Sequence, residues 1–387
     1  MPFFKVLEGM PFAVDAFCYG KINGCTDYFL THFHSDHYRG LSRKWDNGPI
    51  YCTHVTAALV QSKLRVAKEF VRPLPMDQAV TIPGTSVRVT CIDANHCPGA
   101  CLFLFEGPTK NAKQVRYLHC GDFRATPWHV RHPSLAGGVD IIYLDTTYLS
   151  PEHCFPSQKD VLEVCANVVR APVTTGAASS ISSWLGMSQK SGNVLVVIGT
   201  YSIGKERVVA AVAHALGTKV FCVDSRQSQV YQQTGALDGL LTQDALAARV
   251  HVVGMSAVTV AGITAWLAQM KRRGASVTHA IGIKPTGWTF RGGSTITPDT
   301  PVETVMAIPR TLPPPSPSRD STSTVRLYSI PYSEHSSFVE LMAFCVSLPH
   351  KRIIPTVGNT AAQHRMEKFT RRWTALASLG TQIGDSW

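Results

Sequence analysis

The chain has 387 residues, 44% of them hydrophobic, enough for a substantial core and, by length, for two or three domains. No run approaches the roughly 18 apolar residues of a membrane span, and the start MPFFKVLEGM lacks the charged-then-apolar pattern of a signal peptide, so a soluble, intracellular protein without membrane association is expected. Lys and Arg outnumber Asp and Glu by 37 to 26, and the net charge of +11 favours a polyanionic partner, while eleven cysteines with no CxxC pair argue against a disulfide framework or a four-cysteine zinc knuckle.

Residues 1 to about 150 alternate short β-rich runs (YFLTHF, SVRVTCI, CLFLF, VRYLHC, DIIYLD) with turn signals and one helical stretch near 53–70. This predicts a layered α/β domain. From about 151 the texture changes. Helix-like KDVLEVCANVVR, ERVVAAVAHAL and AGITAWLAQMKRR alternate with apolar NVLVVIG, KVFCVD, RVHVVG and HAIGIK, the pattern of a parallel sheet with crossover helices. Residues 171–193 and the Pro/Ser-rich 308–324 read as exposed loops. After them VRLYSIP predicts a strand, 336–347 a helix, RIIPTV a strand and QHRMEKFTRRW a terminal helix.

The run His32-Phe33-His34-Ser35-Asp36-His37 puts three imidazoles and a carboxylate in six residues, directly after the strand-like Tyr28-Phe29-Leu30. A strand end delivers ligands to a loop rigidly. Spacing of two lets His32 and His34 face one ion, while Asp36 and His37, turning into the next element, face a second. The plainer alternative is a polar loop with Ser35 or Asp36 capping a helix, yet four metal-competent residues in so short a loop rarely arise without a metal. His96 in NHCPG, Asp122 in HCGDF and His335 in PYSEH are further candidates, each by itself an ordinary polar loop residue. Spacing alone does not say which of the fifteen histidines converge.

Nine motifs in order, DAFCYG, YFLTHFHSDHYRGL, DANHCPGA, HCGDFRA, YLDTTY, GTYSIGKE, KPTGW, PYSEHSS and IIPTV, closely resemble the DNA interstrand cross-link repair nucleases of the metallo-β-lactamase superfamily, relatives of Artemis and Apollo. The resemblance covers nearly the whole chain. It implies a four-layer αβ/βα metallo-β-lactamase fold built from residues 1–150 and 326–387, with an inserted β-CASP α/β domain at 151–325. It also implies that His32, His34 and His96 hold one metal and Asp36, His37 and His335 the other, with Asp122 bridging. Asp36, His37, Asp122 and Asp145 would be the catalytic-site residues, and Asp15 would orient the metal loop from behind. Zinc, as one or two ions, is the implied cofactor, since two ions roughly 3.5–4 Å apart activate a bridging water and clamp both the attacking and leaving oxygens. The implied activity is 5′-to-3′ cleavage of DNA with single-stranded or 5′-phosphorylated ends, in the nucleus.

Gly199 to Glu206 lie between a predicted strand and a predicted helix, so backbone amides, the helix N-terminus and Lys205 make an anion site. The spacing also fits G-x-x-x-x-G-K, but Glu206 stands where a nucleotide-binding loop needs a magnesium-binding Ser or Thr. A DNA phosphate cradle is therefore preferred to a nucleotide site, with a plain strand-to-helix turn as the structural alternative. In line with the family, Thr200, Tyr201, Lys205, Tyr332, Ser333 and Asp145 are expected around that phosphate. Asp145 also reads as a strand-end cap, and Trp288 in KPTGW as core packing. Val357 in IPTV matches DNA-processing members, RNA-processing ones carrying His there. Its plainer reading is a β-branched core strand residue. Rival readings are an RNA-processing β-CASP nuclease, a small-molecule metallo-hydrolase on the same fold, and a catalytically silent DNA-binding scaffold.

Overall fold

The computed structural model describes residues 1–170, 194–290, 295–312, 315–358, 360–384 and 387, with 360–365 described for their backbone only. In chain order, the first elements are β1 (Phe12–Val14), β2 (Asp27–Phe29), α1 (Ser35–Tyr38), β3 (Ile50–Thr53), α2 (His54–Leu64), β4 (Val71–Leu74), β5 (Val80–Thr81), β6 (Arg88–Asp93), β7 (Cys101–Pro108), β8 (Gln114–His119), α3 (Pro127–Val130) and β9 (Val139–Leu144). There follow α4 (Gln158–Arg170), β10 (Val194–Thr200), α5 (Glu206–Leu216), β11 (Lys219–Cys222), α6 (Ser225–Thr234), β12 (Leu241–Thr242), β13 (Ala248–Gly254), α7 (Val260–Arg272), β14 (His279–Pro285), α8 (Val302–Met306) and β15 (Val325–Ile330). The chain closes with α9 (Phe338–Ser347), β16 (His350–Pro355) and α10 (Thr360–Ser378). It forms two compact units: Met1–Cys154 with Gly292–Ile308 and Glu334–Trp387, and Phe155–Arg291 with Pro309–Ser333.

The first unit holds a parallel sheet in the order β1-β2-β3-β4 and a mixed sheet in the order β16-β9-β8-β7-β6-β5. Their inner faces share one core, Phe12, Val14, Phe29 and Tyr51 meeting Val89, Phe103, Phe105, Tyr117 and Tyr143. Phe29 sits at its centre, stacked on Tyr51 and edge-on to Phe105 at 4.8 Å. Helix α2 packs on β3 and β4, and α10 on β16 and α9, so helices cover the outer faces. The helical stretch expected over 53–70 stops at Leu64, because Arg65 turns left-handed at φ 58°.

The second unit is a wholly parallel sheet in the order β12-β11-β13-β10-β14-β15. Alternation along β10 feeds both of its faces: Val196 and Ile198 pack with Val161 of α4 and Val208 of α5, whereas Leu195 and Val197 pack with Ile263 and Leu267 of α7. A strand buried on both faces reads as a continuous apolar run, as here.

One boundary expectation is corrected. The run VRLYSI, assigned by sequence to the last part of the first domain, pairs with β14 from Ala280↔Val325 to Pro285↔Ile330 and so completes the second unit, which extends to Ser333. An alternating apolar strand reads alike whichever sheet it joins. The stretch 308–324 carries no helix or strand among its described residues, and the loop expected at 171–193 lies outside the described residues.

Candidate metal centre

The chain leaving β2 is held on both sides, Leu30 N–H donating to Tyr51 O at 2.9 Å and Cys101 N–H to Thr31 O at 3.0 Å. Asp15, itself left-handed at φ 50°, lies behind it. Its carboxylate accepts from Thr31 N at 2.9 Å, Thr31 Oγ1 at 2.8 Å and His37 Nδ1 at 2.7 Å. Having donated, the Thr31 hydroxyl accepts from His32 Nδ1 at 2.9 Å. His96, in the turn after β6, donates through Nδ1 to Glu334 O at 2.8 Å, and His335 through Nδ1 to Asp145 Oδ2 at 2.8 Å. Asp145 is steadied by Thr147 N at 3.0 Å, Thr147 Oγ1 at 2.7 Å and Phe123 N at 3.3 Å. Four imidazoles therefore hold a proton on Nδ1 and turn Nε2 inward, the ring control that metal-binding histidines use.

Those Nε2 atoms converge on Asp122 Oδ2, His37 at 3.3 Å, His32 at 3.6 Å, His96 at 3.9 Å and His335 at 3.9 Å. Asp122 reaches this point because Gly121 adopts φ 56° and carries no side chain; a Cβ there would lie 2.7 Å from Thr31 Cβ. His34 Nδ1 lies 2.8 Å from His32 Nε2 and 3.1 Å from His96 Nε2. A single Nδ1–H cannot point at both, so at least one of these close nitrogen pairs lacks an aligned hydrogen bond, an arrangement that a cation between the rings relieves. Tetrahedral ligands at about 2.1 Å from an ion stand roughly 3.4 Å apart, close to this spacing. The donor set thus fits a metal ion.

Electrostatics agrees. Burial first, then the neighbouring imidazoles, holds His32 and His96 well below the ordinary imidazole value, in the neutral form that ligates. Burial opposes charge on His37 and Asp122 too, but their mutual attraction outweighs it, raising His37 well above its usual value and holding Asp122 well below the carboxylate range. Burial likewise disfavours an Asp15 carboxylate, and the His37 ring beside it reverses the sign, keeping Asp15 low. An arriving cation must therefore displace the His37 proton.

Ligand atoms gather in three overlapping groups: His32, His34, His96 and Asp122; Asp36, His37 and Asp122; and Asp122, Asp145 and His335. Asp122 belongs to all three. His335 lies with Asp145 rather than with Asp36 and His37, so the set expected at the second ion is joined only through Asp122. Asp36, on the first turn of α1, is 78% exposed. A cavity of 840 Å³ opens here, lined by Lys5, Asp36, His37, Asp122 and His335, with Val357 on its wall rather than in the core. Sequence reasoning missed Thr31, whose hydroxyl joins Asp15 to His32, and His119, which accepts the Gly121 amide at 3.1 Å. Both stood inside recognised motifs without any spacing to single them out.

Of the six residues expected around a phosphate, five lie in the second unit, four of them buried (Thr200, Lys205, Tyr332 and Ser333), while Asp145 is buried in the first unit beside His335. The Thr200 hydroxyl meets Gln227 Nε2 at 2.6 Å and Tyr231 OH at 2.9 Å. Lys205 Nζ lies over the rings of Tyr332 at 5.3 Å and Tyr201 at 5.9 Å. Glu206 turns back to accept the Gly204 amide at 2.7 Å, so the loop's own carboxylate already occupies one amide of the expected cradle. Trp288, expected in the core, is 59% exposed on a 3-10 turn after β14.

The family model for DNA repair metallo-beta-lactamase matches residues 236–361, and that for the beta-lactamase superfamily domain matches residues 27–175. The chain is 40% identical over 390 residues to the DNA cross-link repair protein pso2/snm1 of Schizosaccharomyces pombe, covering 96% of this chain and 64% of that one. It is 38% identical over 377 residues to the DNA cross-link repair protein SNM1 of Arabidopsis thaliana, covering 96% and 69%, and 32% identical over 389 residues to the 5′ exonuclease Apollo of Gallus gallus, covering 99% and 70%. The chain thus spans 64% of the length of its fission-yeast relative. With its two-sheet core, outer helices and metal-type cluster, the chain belongs to the DNA cross-link repair family of the metallo-β-lactamase fold.

Proposed function

We propose that this protein is a metal-dependent nuclease that hydrolyses DNA phosphodiester bonds, working 5′ to 3′ from ends bearing a 5′-phosphate, in nuclear interstrand cross-link repair. The observation that carries this is the convergence of four imidazoles, each held through Nδ1, on the Asp122 carboxylate, in a family whose members include a 5′ exonuclease. In this reading His32, His34 and His96 would hold one ion and Asp36, His37 and His335 the other, with the Asp122 carboxylate available to both. Imidazole and carboxylate donors suit zinc. When bound, two such ions supply Lewis acidity and a water acidic enough to attack near neutral pH.

The chain's own residues do the rest. Asp15 and Asp145 keep the His37 and His335 rings turned so that Nε2 faces inward. Asp36, exposed at the cavity mouth, meets the substrate side of the site. We assign the second unit to the β-CASP domain, and Thr200, Tyr201, Lys205, Tyr332 and Ser333 to recognition of the terminal phosphate. Lys205 supplies the positive charge for it. Val357 on the cavity wall offers neither a proton nor a hydrogen bond, which favours DNA over an RNA chemistry needing an imidazole there.

The test compares 5′-phosphorylated DNA, 5′-hydroxyl DNA and 5′-phosphorylated RNA of one sequence by kcat/KM at one salt concentration, with and without chelator. Chelator-sensitive cleavage of phosphorylated DNA ahead of both others is expected. Equal digestion of the two DNA ends removes the end-recognition reading, and faster RNA cleavage turns the assignment to RNA processing.

A further inference from the structure

The apolar residues ahead of β1 divide between core and solvent. Pro2, at φ −61°, leads into a 3-10 turn over Phe3–Lys5. Lys5 N–H closes the turn on Pro2 O at 3.2 Å, and the chain beyond is tied down by Leu7 N–H to Phe12 O at 3.0 Å and Glu8 N–H to Tyr143 OH at 3.0 Å. Phe4 packs against the core of the first unit. Phe3 is 67% exposed. Its ring meets that of Phe4 edge to face, centroids 5.9 Å apart and planes at 75°, and Lys5 Nζ lies 5.8 Å from the centre of the Phe4 ring. A single exposed Phe is ordinary on a protein surface. Its place here is not, because Phe3, Phe4 and Lys5 line the same cavity as His37, Asp122 and His335. That cavity, at 840 Å³, is of the size that encloses small molecules. An accessible flat ring, a neighbouring cation and a cluster of metal donors together complement a ligand that is flat at one end and anionic at the other, as a nucleotide is.

We propose that Phe3 is a stacking platform for an unpaired nucleobase of the strand held at the metal centre. It is a positioning residue that fixes where the strand lies and takes no part in bond making. The proposal rests on the nuclease reading above, from which it takes its ligand. Every base has a π face, so stacking on Phe3 tolerates all four. An interior base of a duplex has both faces taken by its neighbours, and the platform therefore selects single-stranded DNA rather than a sequence.

Three substitutions separate stacking from apolar bulk. Phe3→Ala removes the ring, Phe3→Leu keeps bulk without a flat face, and Phe3→Tyr keeps the flat face. The metal-loaded full chain is titrated by fluorescence anisotropy with a 5′-phosphorylated single-stranded oligonucleotide whose phosphorothioate linkages resist cleavage, and with a set of the same strand lacking one base at each position in turn. KM and kcat are then measured on the ordinary oligonucleotide, and metal content by mass spectrometry. Phe3→Ala should weaken binding and raise KM roughly fivefold to a hundredfold, the range for one stacked base, with metal content at the parent level. Phe3→Leu should fall most of the way with it, and Phe3→Tyr should stay near the parent. In the parent, loss of the base at one position should cost a similar factor, and that cost should vanish in Phe3→Ala, because both changes remove one contact. Parent-like affinity in Phe3→Ala or in Phe3→Leu overturns the platform, as does a fall confined to kcat, a loss of metal, or a base-removal cost that Phe3→Ala leaves unchanged. If Phe3→Ala fails to fold, Phe3→Leu decides by the same base-removal comparison. A parent chain that neither binds nor cuts the oligonucleotide removes the nuclease reading and the platform with it, whereas a cleaving parent with unaffected variants removes the platform alone.

Discussion

At the residue scale the centre depends on Asp122 and on the groups that turn the imidazoles toward it. Because Asp122 Oδ2 lies within 3.9 Å of four imidazole nitrogens and belongs to every ligand group, Asp122→Ala should remove more than metal at one position. Bound metal should fall and kcat/KM should drop by at least about a thousandfold, the order expected when a metal and its activated water are lost. Near-normal turnover or full metal content would contradict the bridging role. Thr31→Val is a subtler probe. It keeps the β-branched shape but removes the hydroxyl that donates to Asp15 and accepts from His32. Loss of such a supporting partner typically costs tenfold to a hundredfold in metal affinity. Competition with a chelating dye would measure it, and an unchanged affinity would mean that backbone geometry alone holds the His32 tautomer.

At the element scale the turns after β8 and before α9 are fastened together. Arg124, 1% exposed, meets Glu340 through Nε at 3.2 Å and Nη2 at 2.9 Å, and Glu340 also accepts the Ser337 amide at 2.7 Å as the helix cap. Ser336 Oγ accepts from Ala125 N at 2.9 Å and donates to Phe123 O at 3.0 Å. These bonds carry Asp122 and His335 to the same place. Glu340→Gln leaves Arg124 buried without its counter-charge and should destabilise by about 3–5 kcal/mol, whereas the pair Arg124→Met with Glu340→Leu should cost much less, since desolvation no longer has to be offset. Urea midpoints of the three variants test this, and equal losses in the single and double variants would argue against a buried-charge effect. Gly121→Ala combines a left-handed backbone with a Cβ only 2.7 Å from Thr31 Cβ. It should lose roughly 2–4 kcal/mol of stability, together with bound metal. A variant that keeps both would show that the turn can shift without moving Asp122.

At the scale of the whole molecule, ligands drawn from His32 to His335 join the first strands to the last part of the chain through one centre. Metal that binds only the folded form adds about 4 kcal/mol when free metal is a thousandfold above its Kd. Chelation should then lower the melting temperature of the first unit by on the order of 10 °C, with recovery on restoring the metal. Calorimetry with and without chelator checks this, and an unmoved transition would separate metal binding from folding.

Much of this organisation was legible in the residues themselves. Short β-rich runs between turn signals marked β6 to β9, unbroken apolar runs marked β10, β13 and β14, and the six-residue run from His32 to His37 announced metal chemistry, because strand propensity, burial and ligand density are local properties of a sequence. Partnership is not local. Hydrogen bonding decided that β15 completes the second sheet, since its alternation suits either one. Contacts spanning 190 to 238 residues set His335 beside Asp122 and Asp145, turned the His96 ring by way of Glu334, and paired Arg124 with Glu340. Glu206 closing on its own loop, Trp288 standing exposed and Phe3 lining the metal cavity were likewise invisible in composition or spacing. The sequence by itself determined which residues are able to bind metal and which segments are strands or helices; the tertiary structure alone decided which nitrogens stay bare and where they point, because tautomer and aim depend on acceptors that other parts of the chain supply.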